Sequence, residues 1–335
     1  MREHQDTEDE PNKPIEHMPP PTWQTDPERL DQLCFEPRTE ALLHLRRVVA
    51  KFATCPKRGE YRRQRDVPTE RTEMSEEAVL RSVDPRGVAT VTLNRPEVNN
   101  AYDETVIQGL HKAMDELGAY PGLRVVVLCG AGKHFQAGAD LKWIRRVAAQ
   151  PAEENERVSR ATATAAHRLN TLPVPTLALV QGGCFGGGTG IVAACDVVIA
   201  ADDAIFSIAE TRWGLMAGII LPQLADAIGV RQVRRYALSG ERFGAHEARR
   251  IGLVHEVVPT GELHAAGERL VVQLLQNAPE ANAQTKAVAL EFAWSSVTDA
   301  ALGRLIAQHA AQRRSAEAAE GLASFAEKRA ARWFA

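Results

Sequence analysis

The sequence has 335 residues, a hydrophobic fraction of 44%, a charged fraction of 25% and a formal net charge of −3. These values are ordinary for a globular protein and give no sign of a nucleic acid or an anionic membrane as partner. No run of 18 apolar residues could span a bilayer, the five cysteines include no C-x-x-C pair, and no cluster of side chains has metal-site spacing, so we expect a cytoplasmic protein with reduced thiols and no metal.

Residues 1–73 differ in composition from the rest of the chain. They hold nine of the 18 prolines and 28 charged residues of nearly balanced sign. Such a composition disfavours a packed core, so we predict a flexible N-terminal extension in which only Glu40 to Phe52 has the pattern of an amphipathic helix. The residues after Met74, SEEAV, resemble an ordinary N-terminus, and we expect translation of the native protein to start at Met74.

Regular secondary structure is predicted from Val88 onward. The apolar residues of VATVTL alternate with threonine, which is typical of a half-buried strand. Asp103 is suited to cap a helix that extends to about Leu117. The short β-branched run from Arg124, RVVVLCG, predicts a buried strand.

Two glycine-bearing loops follow, FQAGADLK at 135–142 and QGGCFGGGTGIVAACD at 181–196. In the second loop Gly186 to Gly188 directly precede a stretch that we predict to be helical from Thr189 to Cys195. Without a Cβ the main chain can approach a ligand closely, and a helix start provides free N–H groups and the positive end of the helix dipole. An isolated GGG is more often a structural turn. Two such loops, however, can each direct a backbone N–H at one oxygen atom.

The remaining elements predict a parallel α/β arrangement. Strands are expected at Thr176 to Gln181 and Asp196 to Ala201, and strands that alternate with helices are typical of a parallel sheet. Beyond Gly261 the sequence is rich in alanine and is predicted to be helical to its end, with EKRAARW as the last turns. The predicted domains are an extension at 1–73, an α/β core at 74–260 and a helical region at 261–335.

Six segments in this order resemble the crotonase family, also called the enoyl-CoA hydratase and isomerase family. They are TLNRPEVNNA (92–101), HFQAGADLK (134–142), VQGGCFGGGTG (180–190), ACDVVIAADDAIFSIAET (194–211), SGERFGAHEARRIGLVHEVV (239–258) and EGLASFAEKR (320–329). The resemblance extends from about Val88 to about Trp333. It implies a right-handed spiral of ββα units, an acyl-CoA substrate, and C-terminal helices that cover the active site and pack into homotrimers, often paired as hexamers.

The resemblance also implies roles for the two loops. The N–H groups of Ala139 and Gly187 would hold the thioester oxygen of the acyl-CoA, and Glu210 would face its C2–C3 bond. Gly218 matches a family glycine whose N–H helps to fix the attacking water. Adding to a thioester, or deprotonating beside it, moves negative charge onto that oxygen. Oriented donors therefore stabilise the transition state, and removal of one typically costs about 100- to 1000-fold in rate.

Coenzyme A would enter as part of the substrate, so no separate cofactor is expected. The resemblance implies main-chain contacts with the adenine, phosphate contacts from lysine and one contact with the pantetheine arm. The main-chain contacts would come from Ala137, Ala139, Asp140 and Leu141. Lys142 and Lys328 would contact phosphates, and Val98 would contact the pantetheine arm.

Gly190 departs from the two-glutamate hydratases of the family, which carry a second carboxylate at this position. Hydration needs a base to activate water at C3 and an acid to protonate C2, each typically worth about 100- to 10,000-fold. Either Glu210 serves both steps, or the enzyme moves a proton between C4 and C2, as 3,2-enoyl-CoA isomerases do. The segments around Gly190 resemble bacterial methylglutaconyl-CoA hydratases, which favours a hydratase of a branched or carboxylated acyl group.

A non-catalytic acyl-CoA or RNA-binding member of the family is the third interpretation. One relative binds RNA through a lysine-rich helix. The corresponding helix from Asp103 to Leu117 has Lys112 as its one lysine beside several acids, which argues against RNA.

Overall fold

The computed structural model describes residues 77–293 and 298–334, all within one compact unit. The predictions for the N-terminal extension, its helix and the start at Met74 lie outside the described residues. None of the helices in the described ranges combines the length and the apolar character that a bilayer span requires.

Nine strands occur in the described ranges. They are β1 (Val79–Val83), β2 (Val88–Leu93), β3 (Val125–Gly130), β4 (Thr176–Val180), β5 (Gly183–Phe185), β6 (Val197–Ala201), β7 (Ile205–Ser207), β8 (Phe243–Gly244) and β9 (Glu256–Val258). Ten α-helices occur in the same part of the chain. They are α1 (Glu104–Gly118), α2 (Leu141–Ala148), α3 (Ala152–Asn170), α4 (Gly187–Ala193), α5 (Leu221–Ser239), α6 (Ala245–Ile251), α7 (Leu263–Leu275), α8 (Pro279–Phe292), α9 (Asp299–Gln312) and α10 (Ala316–Glu327).

The strands form two sheets. The larger sheet has the order β1-β2-β3-β4-β6-β9, with only β1 antiparallel to its neighbour, and the smaller sheet has the order β5-β7-β8. Strands β4 and β6 belong to the larger sheet, and each is followed directly by a strand of the smaller sheet, β5 or β7, before the next helix begins. The loop after β5 therefore follows directly on a strand of the smaller sheet.

Both faces of the larger sheet are buried, which explains its continuous apolar strands. In β4, Ala178 and Val180 belong to the main core, whereas Leu177 and Leu179 pack in a second cluster that includes residues of α7. A strand covered on both sides reads as an unbroken apolar run. In β2, which lies next to the edge strand, the two threonines are only half-buried and the predicted alternation appears.

The predicted helix from Asp103 to Leu117 is confirmed as α1. The Asp103 side chain accepts hydrogen bonds from the backbone N–H groups of Thr105 (2.9 Å) and Val106 (3.4 Å), which is N-cap geometry. The predicted strands from Val88 and Arg124 are also present, as β2 and β3.

The helix predicted from Thr189 begins two residues earlier, at Gly187. Its first turn closes on Gly186, whose carbonyl oxygen accepts hydrogen bonds from the N–H (2.8 Å) and the hydroxyl (2.6 Å) of Thr189. Gly186 has φ 50°, a conformation that glycine adopts without a Cβ clash. Two of the three glycines thus belong to the helix rather than to the loop.

The prediction that EKRAARW forms the last helical turns is wrong. Helix α10 ends at Glu327, and Lys328 adopts the left-handed conformation with φ 53°. The tail then folds back onto the end of α7, because the Trp333 indole donates to the Gln276 carbonyl (2.9 Å) and the Arg124 guanidinium donates to the Trp333 carbonyl (2.7 Å).

Candidate active site

The two glycine-bearing loops run side by side. The N–H of Gln136 donates to the carbonyl of Gly183 (3.1 Å), and the N–H of Phe185 donates to the carbonyl of Gln136 (2.9 Å). These bonds form a parallel bridge between Gln136 and Cys184. The first loop is therefore held in register with β5, directly before Gly186 and Gly187.

A second parallel bridge, between Tyr102 and Ala139, orients the Ala139 peptide. The N–H of Tyr102 donates to the carbonyl of Gly138 (2.8 Å), and the N–H of Asp140 donates to the carbonyl of Tyr102 (2.9 Å). The bridge uses the Gly138 carbonyl and the Asp140 N–H, which flank Ala139. The N–H of Ala139 itself therefore points away from Tyr102. Within the described ranges this N–H has no backbone acceptor.

Gly187 is the first residue of α4, so its N–H has no acceptor within the helix. The turn before it is fixed by the N–H of Gly186, which donates to the Ser207 carbonyl on β7 (2.8 Å). A Cβ on Gly187 would lie 2.5 Å from Cε1 of Tyr102, closer than carbon atoms approach each other. The close approach of this ring therefore requires glycine at position 187.

Glu210 opens a short 3₁₀ turn, Glu210–Trp213, after β7. Its carboxyl lies over the second loop, since a Cβ on Gly186 would be 2.9 Å from the Oε1 atom of Glu210. The Oε2 atom is buried and has no hydrogen-bond partner within the described part of the chain. Burial raises the pKa of this carboxyl above its ordinary value, because the charged form loses hydration.

These groups border one cavity of about 640 Å³. One wall is formed by the two loops and the turn that carries Glu210. The opposite wall is apolar and comes from α1, α2 and α3; it includes Val106, Ile107, Leu110, Ile144, Val158 and Ala165. The cavity thus combines a polar end with an apolar recess.

Six of the residues predicted for the site line this cavity. They are Ala137, Ala139, Leu141, Gly187, Glu210 and Gly218. The cavity lining does not include Val98, Asp140, Lys142 or Lys328. Both lysines are exposed, and Lys328 lies at the end of α10.

Asp140 has a structural role that the sequence interpretation did not assign to it. Its carboxylate accepts hydrogen bonds from the N–H groups of Trp143 (3.1 Å) and Lys142 (2.8 Å) and so caps α2. The hydrogen bond from Trp143 is the main reason why the pKa of Asp140 lies below its ordinary value. The backbone N–H groups of Ala137 and Asp140 already donate to Asn99 and Tyr102, so they are not free for a ligand.

Gly190 is buried beneath Ile220. A Cβ on Gly190 would lie 2.5 Å from the Cβ of Ile220 and would collide with its Cγ2. An apolar side chain therefore fills the space that a side chain at position 190 would need. Gly190 and Ile220 therefore fit each other in direct contact.

Tyr102 is a residue of the site that the sequence interpretation missed. It lines the cavity, packs against Gly187 and meets the Trp143 ring edge to face, with 5.8 Å between ring centres. Burial, and secondarily the charge of Glu210, raises the pKa of Tyr102 to about 12, so the phenol keeps its proton. Its position beside the Asn-Asn turn gave no sign of this contact.

The buried side chain of Asn100 supports the first loop and was also missed. Its amide donates to the carbonyls of Ala131 (2.9 Å) and His134 (2.8 Å) and accepts from the N–H of Arg95 (2.8 Å). The His134 ring in turn accepts from the N–H of Gly183 (2.7 Å) at the start of β5. These side chains position the loops and do not enter the cavity lining.

Cys184 lies beside the second glycine loop but is not suited to act as a nucleophile. Burial raises the pKa of the Cys184 thiol, which disfavours the thiolate needed for nucleophilic attack. Residues 77–293 and 298–334 contain no group of three or more His, Cys, Asp or Glu side chains suited to hold a metal ion.

Known proteins resemble the chain in sequence and in structure. The sequence profile described as enoyl-CoA hydratase/isomerase matches residues 84–335. A hydroxycinnamoyl-CoA hydratase-lyase of Pseudomonas fluorescens is 38% identical over 196 residues, which cover 58% of this chain and 71% of that protein. A mitochondrial Delta(3,5)-Delta(2,4)-dienoyl-CoA isomerase of Dictyostelium discoideum is 31% identical over 260 residues, or 75% of this chain and 88% of that protein. The crystal structure of an enoyl-CoA hydratase from Shewanella pealeana superposes with a TM-score of 0.74 at 32% identity, covering 77% of this chain and 97% of its own.

Proposed function

Because the chain belongs to the enoyl-CoA hydratase/isomerase family, we propose that it adds water across the C2=C3 double bond of an acyl-CoA thioester, with Glu210 as its one acid and base. The predicted family and its α/β fold are confirmed. The observation that carries the proposal is the Glu210 carboxyl, whose Oε2 atom is buried without a hydrogen-bond partner in the described part of the chain. It borders the same cavity as Ala139 and Gly187, whose N–H groups have no backbone acceptor within the described ranges.

The thioester oxygen would lie between the N–H groups of Ala139 and Gly187. In the ground state this oxygen carries a partial charge, whereas in the enolate-like transition state it carries most of a negative charge. Donors that are already oriented by the two bridges and by the start of α4 therefore lower the barrier more than they lower the energy of the bound substrate.

Glu210 would move one proton from water to C2. The carboxylate takes a proton from a water molecule held by the N–H of Gly218 while the water oxygen bonds to C3. The electrons of the double bond move toward the thioester oxygen, and Glu210 then returns the proton to C2. The product is a 3-hydroxyacyl-CoA, and the carboxylate is regenerated. A carboxyl with a raised pKa suits a group that must both accept and donate a proton.

Coenzyme A would contact the first loop and two lysines. The carbonyl of Ala137 accepts no backbone hydrogen bond within the described ranges, so it can accept one from the adenine amino group. The exposed Lys142 and Lys328 would meet phosphates, and Val98 would touch the pantetheine arm. No step of this chemistry calls for a cofactor beyond the coenzyme A of the substrate.

Isomerisation of the double bond is the second candidate function. It is favoured by Ile220, because an apolar side chain over Gly190 leaves Glu210 as the sole carboxyl in the cavity lining. A single carboxyl suits a proton shuttle between C4 and C2 as well as it suits hydration.

The ultraviolet absorbance of a conjugated enoyl thioester distinguishes these functions. We expect the absorbance of a short, a branched or a methylglutaconyl-type enoyl-CoA to fall when enzyme is added, with 3-hydroxyacyl-CoA as product. Glu210→Gln should retain acyl-CoA binding and lose about 100- to 10,000-fold in rate. Solvent deuterium in the product without any 3-hydroxyacyl-CoA would select the isomerase. If the wild type and Glu210→Gln bind acyl-CoA equally and neither turns over any substrate, the protein is a non-catalytic acyl-CoA binder.

We also propose that the chain assembles into homotrimers or hexamers through its C-terminal helices. Leu322 and Phe325 on α10 are 70% and 86% exposed and lie three residues apart, so they share one helix face. Ile306 on α9 is 61% exposed. Exposed apolar side chains grouped on helices are typical of an interface between subunits.

A further inference from the structure

We propose that Arg212 and Arg242 bind a carboxylate on the acyl group, so that the preferred substrate is an acyl-CoA whose acyl chain is itself an anion. This inference rests on the proposed function for the position of the thioester. It adds to that function the two residues whose positive charge would select among acyl-CoA substrates.

The two arginines combine a place in the cavity lining with the lack of an anionic partner among the described residues. Arg235 pairs with Glu241, and Arg250 pairs with Glu247. Within the described part of the chain, neither Arg212 nor Arg242 forms an ion pair or a side-chain hydrogen bond to an acceptor. Both nevertheless line the cavity, where the sole acidic side chain is Glu210.

Both residues are exposed to solvent and also border the cavity next to the reactive centre. The Nε of Arg212 is 2.7 Å from the position that a Cβ on Gly240 would take. The Gly240 carbonyl accepts from the Ser207 hydroxyl (3.0 Å), and the Ser207 carbonyl accepts from the N–H of Gly186 (2.8 Å). Arg212 therefore connects through Gly240 and Ser207 to Gly186, the glycine over which the Glu210 carboxyl lies.

Arg242 contacts the same wall through Phe185. Its guanidinium carbon lies 5.5 Å from the centre of the Phe185 ring, and Phe185 directly precedes Gly186. The guanidinium is thus held by a stacking contact that leaves its N–H donors unused. The two cations border one stretch of wall, formed by Phe185, Gly186, Ser207 and Gly240.

Two anions of an acyl-CoA could meet these cations, a carboxylate on the acyl chain or a phosphate of coenzyme A. The wall lies one residue from Gly187 and beneath Glu210, where the C2–C3 bond would be held. The phosphates lie at the far end of the pantetheine arm. Guanidinium groups bind carboxylates with paired, planar hydrogen bonds, so the position selects the acyl carboxylate.

The test compares two unreactive ligands that differ only at the end of the acyl chain. Glutaryl-CoA ends in a carboxylate, whereas pentanoyl-CoA of the same length ends in a methyl group. By titration calorimetry we expect the wild-type protein to bind glutaryl-CoA at least tenfold more tightly, with a preference that weakens as salt is added. Arg212→Gln and Arg242→Gln should each reduce glutaryl-CoA affinity by roughly 10- to 100-fold and leave pentanoyl-CoA within about twofold.

Two control variants make the result specific. Arg249→Gln removes an exposed arginine of α6 that is absent from the cavity lining, and it should change neither affinity. Arg242→Lys keeps the charge and should retain part of the preference for glutaryl-CoA. Equal affinity of the wild type for the two ligands, or an equal loss for both ligands in the arginine variants, would overturn the proposal. Because neither ligand reacts, this result does not depend on whether hydration occurs.

Discussion

The Glu210 carboxyl occupies a position where it can exchange a proton but can form no permanent hydrogen bond through Oε2. The carboxyl lies over glycine main chain and is largely removed from solvent, and this desolvation raises its pKa. Few buried carboxyl groups are left without a partner for structural reasons, since an unsatisfied buried polar group costs about 1–3 kcal/mol. The position is therefore more readily explained by catalysis than by packing.

The acid side of the pH profile should report this shift. Glu210 must start as a carboxylate to accept the proton of water, so kcat/KM should fall as the pH drops through its pKa. Because burial raises that pKa, the fall should occur at a higher pH than for an ordinary carboxyl with a value of 4.5. The pH at which kcat/KM falls is measured from a profile between pH 4 and pH 8. Glu153→Gln changes an exposed residue of α3 and should leave this pH unchanged. A fall at or below the ordinary value would contradict the assignment.

Gly187→Ala should damage both the site and its packing. The new Cβ would lie 2.5 Å from the Tyr102 ring, which is itself held against Trp143, so we expect a loss of about 1–3 kcal/mol in the free energy of unfolding. Displacement of the N–H should lower kcat by about 100- to 1000-fold. Gly118→Ala at the end of α1, where a Cβ meets nothing within 4 Å, is the matched control. Wild-type kcat in Gly187→Ala would exclude this N–H as an oxyanion donor.

At the scale of elements, one ion pair attaches helix α8 to the larger sheet. The Lys286 ammonium donates to Asp196 (2.7 Å) and to the Val174 carbonyl (3.1 Å), and Asp196 also accepts from the N–H (2.7 Å) and hydroxyl (2.9 Å) of Thr176. The Lys286 side chain is 11% exposed. The pair is thus shielded from water and satisfied on both sides.

Lys286→Met should remove this attachment and keep the apolar stem. We expect a loss of about 1–3 kcal/mol in the free energy of unfolding, since hydrogen bonds to charged groups contribute about that much. Chemical denaturation measures it. Lys112→Met, which breaks a pair whose lysine is 54% exposed, should leave the midpoint unchanged. Equal midpoints for the two variants would show that α8 is held by packing alone.

The elements that could be predicted from the sequence are those with a clear period or a cap. The alternation in β2 and the Asp103 cap of α1 involve residues close together in the sequence, so both could be recognised from the sequence alone. Strand β1 was missed because it is an edge strand whose regularity comes from pairing with β2. Helices α2 and α3 were missed because both pack over the cavity, and because Asp140, which caps α2, was interpreted as a coenzyme A contact.

The candidate site could be predicted where local sequence motifs carry it, but not where only the fold brings residues together. Ala139, Gly187 and Glu210 lie in segments that the family resemblance covers, and the structure brings them to one cavity. Tyr102, Ile220 and Arg212 lie outside those segments. Arg242 lies within one of them, but the resemblance implied no role for it, and these residues meet at the cavity only through the fold. Lys142 and Lys328 lie outside the cavity lining, and their phosphate role stays a prediction.

At the scale of the whole molecule, the exposed apolar face of α10 should decide the state of assembly. We expect the protein to sediment as a trimer or hexamer, and Leu322→Asp with Phe325→Asp to shift it toward monomer, because acidic side chains oppose burial in an apolar interface. Analytical ultracentrifugation measures the mass. Leu80→Asp on the edge strand β1, where Leu80 is 43% exposed, is the control and should leave the mass unchanged. A wild-type protein that sediments as a monomer would refute the proposed assembly.

The contact between Ile220 and Gly190 limits the order in which mutations can accumulate in this lineage. An acidic residue introduced at position 190 meets Ile220 before it reaches the cavity, so an intermediate with that change alone would fold poorly. A smaller residue at position 220 must come first, and it would leave a void of its own. Acquisition of a second carboxyl at position 190 thus requires a destabilised intermediate, which favours single-acid chemistry in descendants of this sequence.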